Sequence, residues 1–125
     1  MAGAAMTEAR RAAFTRGVDA EARAARLLEA KGFTVIATRV RTARGEIDLI
    51  ARTSELLIFV EVKARASLTA AAESISPRQR KRIIGAAEVF LAGHPDYAGM
   101  DMRLDVVLVA PGRVPVHMPG AFEAE

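Results

Sequence analysis

The chain has 125 residues, 51% of them apolar, and no cysteine. That is enough for one self-supporting domain, and it excludes disulfides and thiolate metal sites. The formal charge is +3 and the pI about 9.9, a mild pointer to a polyanionic partner.

Residues 1–16 are Ala/Arg-rich with weak patterning and read as an extension, helical or disordered, ahead of a single domain over 17–122. From Gly17 to Lys31, Ala20, Ala24, Leu27 and Leu28 form an apolar helical stripe, and Gly32 supplies a stop. Glu21 falls on the flank of that stripe. Residues 33–41 read as a first strand, 46–52 as a second and 57–64 as a third, a closely spaced antiparallel meander. Residues 65–76 have no firm period and read as a loop with room for one helical turn. Ser76 then caps a helix that starts at Pro77 and buries Ile83, Ala87, Phe90 and Leu91. Gln79 and Arg80 flank its apolar stripe one turn before Ile83. Arg78, Lys81 and Arg82 point to solvent. Residues 103–110 form a strand, and 113–118 an edge strand interrupted by Pro115. The expected architecture is α/β: a central mixed five-stranded sheet flanked by helices, in the order αβββαββ. No apolar run approaches a membrane span, and no signal-peptide core stands at the start, so the expectation is a soluble, cytoplasmic protein.

The second and third strands carry acids in unusual places. A four-residue loop over 53–56 pairs Arg52 with Leu57, which sets Asp48 opposite Glu61 and Glu46 opposite Lys63, all on one face. Glu46 with Lys63 is an ordinary cross-strand ion pair. Asp48 with Glu61 is not, because opposed like charges destabilise a strand pair. A divalent cation between them removes the conflict. Only His94 and His117 offer imidazole, so a hard cation such as Mg²⁺ or Mn²⁺ on carboxylates is the expected metal. Lys63, about 7 Å along the strand from Glu61, could orient water or hold charge on a phosphate. Glu21 could add another acid. The competing reading is four solvated charges on an open sheet face.

The segments Gly45-Glu-Ile-Asp-Leu-Ile-Ala51 and Phe59-Val-Glu-Val-Lys-Ala-Arg65 resemble the YraN family (UPF0102). So do Gly17-Val-Asp-Ala-Glu21, Ser76-Pro77, Arg103-Leu-Asp-Val-Val107, and His117 near Ala121-Phe122. That family in turn resembles the PD-(D/E)XK, restriction-endonuclease-like nucleases, near the archaeal Holliday-junction resolvases. The resemblance implies a restriction-endonuclease-like fold, Asp48 and Glu61 as metal ligands, and Lys63 as the catalytic lysine. It also implies Glu21 as the helix-1 acid, an assisting Glu46, and a helix-2 role for Gln79. Gly-Glu-Ile precedes Asp48 where the superfamily motif has proline. The expected function is metal-dependent hydrolysis of phosphodiester bonds in DNA, branched or single-stranded. The alternative is a non-catalytic nucleic-acid-binding accessory protein of the same fold. Arg39, Arg41, Arg65, Arg78, Arg80, Lys81 and Arg82 would track phosphates. Monomer and homodimer both remain open.

Overall fold

In a computed structural model that describes residue 17 and residues 19–121, hydrophobic faces on two sides of one sheet organise the chain. The expected extension over residues 1–16 lies outside the described residues. Helix α1 covers residues 19–30. It is followed by β1 (Thr34–Thr42), β2 (Gly45–Arg52) and β3 (Leu56–Ala64). Two further helices, α2 (Leu68–Glu73) and α3 (Pro77–Ala92), lead to β4 (Asp101–Val109) and β5 (Val116–Met118). The strands lie in the order β1-β2-β3-β4-β5. All neighbours are antiparallel except β3 and β4, which are parallel and so require the helical crossover between them. This is the expected αβββαββ arrangement, consistent with a restriction-endonuclease-like fold. The short α2 adds to it, built on an alanine run capped by the Ser67 hydroxyl, which accepts from Ala70 N–H at 3.0 Å.

Strand alternation divides the core in two. One face puts Ile50, Leu57, Phe59, Val106 and Leu108 under α2 and α3, with Ile83, Ala86 and Phe90 packed on them. The other puts Leu49, Ala51, Ile58, Val60, Val107 and Val109 under α1, against Ala20, Ala24 and Leu28. Leu27 and Leu91, expected in the buried stripes, are only half-buried. At the end of α1, Gly32 adopts φ +97°, and Phe33 N–H reaches back to the Leu28 carbonyl at 3.0 Å. The start of α3 has a full capping box, in which Ser76 and Gln79 satisfy each other's backbone N–H groups.

The turn between β1 and β2 is held against α3. Arg44 Nη1 bonds Glu88 Oε1 at 2.7 Å, and Gly45 lies so close to the Arg82 stem that a Cβ would collide with Arg82 Cγ. Gly45 also sits at φ +147°. Gly45→Ala is therefore expected to cost about 1–2 kcal/mol, read as a lower urea midpoint with an unchanged slope. A neutral result would mean that the turn and Arg82 relax freely.

Candidate functional site

The site forms where β2 and β3 part. Their pairing runs from Arg52–Leu57 to Leu49–Val60, which is the register expected from the loop length, although the loop itself is one residue shorter, Thr53–Glu55. Beyond Leu49 the next free donor on β3, Val62 N–H, is taken by a side chain: Asp48 Oδ2 accepts it at 2.8 Å. Ile47 and Leu49, two residues apart, belong to opposite cores, so β2 changes faces at Asp48. The matching irregularity in β1 is Arg39, at φ +51°, between the Thr38–Leu49 and Val40–Ile47 rungs.

Asp48 and Glu61 line one cavity of about 180 Å³ with Glu46, Gln79, Arg82 and Ile83. Burial, and then the charge of Glu61, push the Asp48 carboxyl up to about 7, although Val62 N–H opposes the rise. Glu21 and Glu46 add smaller repulsions. Lys63 is 4% exposed, and its Nζ lies 3.0 Å from Glu61 Oε2. A lysine this buried needs that partner. If the cavity holds a hard cation, Asp48 and Glu61 are the carboxylates that could ligate it. Both line the cavity and the Glu61 charge acts on Asp48, an arrangement that suits an ion taking one or two carboxylates and completing its shell with water. Among the described residues, no three His, Cys, Asp or Glu side chains converge as a metal cluster.

The other expected residues are placed differently. Glu46 does not oppose Lys63, because the strands have already separated. It bonds Arg41 on β1 instead, with Nε to Oε2 at 3.2 Å. Glu21 does not line the cavity: Arg39 Nε donates to its Oε1 at 2.8 Å, with both side chains partly buried. Gln79 does line the cavity, but its Oε1 also serves the cap, accepting from Ser76 N–H at 3.1 Å. Arg41, Arg65, Arg78, Lys81 and Arg82 are exposed, and Arg80 is half-buried. Arg82, expected in solvent and on phosphates, also lines the acidic cavity.

A second polar cluster was not foreseen as a unit. Asp105 is fully buried in β4. It accepts from Arg103 Nε and Nη2 at 2.8 and 2.9 Å, from His117 Nε2 at 2.7 Å, and from Gly120 N–H at 2.9 Å. His117 Nδ1 lies 2.9 Å from Lys31 Nζ, which can only donate. Asp105 can only accept here, so His117 Nε2 donates the hydrogen bond between them. Burial alone would raise the Asp105 carboxyl, but the His117, Arg103 and Gly120 hydrogen bonds hold it at about 2. The cluster ties the turn after α1 to β4 and β5. The sequence signal that could have found it is an acid inside the apolar run Arg103–Ala110.

Comparison with known proteins places the chain. A family model described as "Uncharacterised protein family UPF0102" matches residues 20–109. A UPF0102 protein of Rhodopseudomonas palustris (strain BisB18) is 55% identical over 113 residues, covering 90% of this chain and 84% of that one. A second, from Bradyrhizobium sp. (strain ORS 278), is 57% identical over 113 residues, covering 90% and 80%. A third, from Azorhizobium caulinodans, is 53% identical over 122 residues, covering 95% and 93%. Among solved structures, Pyrococcus furiosus SfsA in complex with Ca²⁺ is similar at 14% identity and a TM-score of 0.28, over 74% of this chain and 56% of that one. That likeness is too weak to bear on fold or function. With its central 20–109 segment matched by the family and relatives more than half identical along most of its length, this chain belongs to the uncharacterised protein family UPF0102.

Proposed function

We propose that the protein is a nuclease that hydrolyses phosphodiester bonds in DNA with the help of Mg²⁺ or Mn²⁺. The observation that carries this reading is the opposition of Asp48 and Glu61 in one cavity, with buried Lys63 on Glu61. Such repulsion is costly in a sheet and has a chemical use when a cation is shared. The bound ion would polarise the scissile phosphate and activate water. Asp48 and Glu61 would hold it. The Lys63 ammonium, fixed by Glu61, would sit against the phosphate and stabilise the negative charge that grows there. In the reaction a water oxygen bonds to phosphorus, the bond from phosphorus to one sugar oxygen breaks, and that oxygen ends protonated. Arg82 at the cavity wall, with exposed Arg41, Arg65, Arg78 and Lys81, would contact backbone phosphates, giving salt-sensitive and largely sequence-independent binding.

The test is nicking of duplex, branched and single-stranded DNA with Mn²⁺ present or chelated. Lys63→Met is expected to slow cleavage about 100-fold while leaving Mn²⁺ uptake intact. Asp48→Asn is expected to lose both. Cleavage that survives in both variants would sink the proposal. DNA binding without cleavage under either metal would favour the non-catalytic accessory protein instead.

A further inference from the structure

We infer that Arg39 is a positioning residue that holds Glu21 away from the Asp48–Glu61 pair, so that the site takes one divalent cation per chain rather than two. This inference rests on the metal-binding reading above and specifies its stoichiometry.

Three observations converge on Arg39. First, it is the one non-glycine residue with positive φ among the described residues. A left-handed arginine is unfavourable and persists only where its surroundings enforce it. Second, the turn it makes lies at the level of Asp48, where β2 also changes faces. The conformation that sends Asp48 into the strand gap therefore also sets the direction of Arg39. Third, the Arg39 guanidinium bonds Glu21 at 2.8 Å, with the Glu21 side chain 15% exposed. The hydrogen bond to Glu21, and the charges of Glu21, Glu46 and Asp48, all favour the charged guanidinium.

Glu21 therefore approaches the fork from α1, on the opposite side of the sheet from α3, already neutralised. Glu61 is also paired with a cation, Lys63, but it lines the cavity beside Asp48, whereas Glu21 faces Arg39 outside that cavity, so a second metal at Glu21 would have to displace Arg39. The backbone bend alone does not require arginine, because asparagine tolerates the same left-handed region. Arg39→Asn thus separates the bend from the cation.

The experiment is calorimetric titration of the metal-free, full-length protein with MnCl₂ at neutral pH. The wild type is expected to take up one Mn²⁺ per chain and Arg39→Asn two, with Arg39→Asn/Glu21→Gln returning to one. An Arg39→Asn isotherm that fits a single ion overturns the inference and leaves the metal reading intact. Two ions in the wild type also overturn it. Absence of uptake in every protein overturns both readings. Circular dichroism checks that Arg39→Asn is folded, and Glu21→Gln in the wild-type background gives an independent arm. That variant is expected to keep its Mn²⁺ affinity, whereas a loss of about 10-fold or more, the scale of a removed metal partner, means that Glu21 is already a ligand and overturns the inference.

Discussion

Asp105→Ala is expected to lower stability by about 3–5 kcal/mol, measured by urea unfolding. That is a large share of the roughly 5–15 kcal/mol available to a typical domain. The size follows from what is left behind. Arg103, His117 and Gly120 N–H all donate to this one fully buried carboxylate, and alanine leaves their hydrogens facing a void. The same carboxylate gives a pH signature. Its folded pKa of about 2 lies below the usual value of 3.8. Its contribution is therefore fully present above pH 4 and lost as the pH falls through about 2, a change of about 2 kcal/mol. Asp105→Ala should abolish that acid limb. A variant within about 0.5 kcal/mol of wild type, the scale of an ordinary surface substitution, would show that the cluster contributes nothing net.

The second large effect has the opposite sign. Metal-free protein is expected to lose about 3–4 kcal/mol as the pH rises from 4 to 7, traced by urea midpoints across that window. The folded pKa of Asp48, about 7, lies above the usual 3.8, so the fold favours the protonated acid. That preference is complete below the unfolded value and disappears as the pH passes the folded one. Burial is the first cause and Glu61 the second. Asp48→Asn, uncharged at every pH, should flatten the decline. On the proposed function, Mn²⁺ should restore stability on the neutral side of the window. A flat wild-type profile in chelator would show that water screens the pair. Together the two acids place the stability maximum of the metal-free protein near pH 4.

How much of this was legible in the sequence depended on how local each cause was. The β2–β3 register followed from the loop spacing, and Arg52 indeed faces Leu57. Ser76-Pro77 marked the start of α3 because capping chemistry is written in adjacent residues. Extrapolating that register past Leu49 gave Glu46 opposite Lys63, and there it failed. The strands separate at Asp48, and the cause lies partly in a third strand, at Arg39, whose left-handed backbone leaves no mark in local composition. Glu46 then turns to Arg41 and Lys63 to Glu61. Glu21 was placed near the site by helical phase, but its engagement with Arg39 joins positions 18 residues apart that no period connects. Asp105 was harder still. A single acid in a strand pattern suggests a solvated face, and its partner His117 lies 12 residues further on.

The Asp48–Val62 hydrogen bond gives the sheet a built-in stop. A two-stranded ladder tends to zip until its donors are used, and here a side chain has taken the donor that the next rung would need. The same carboxyl group thus keeps the cavity from closing and forms part of its wall. Local backbone order and local acidity become one variable. Anything that binds or protonates this carboxyl also changes how tightly the two strands are fastened.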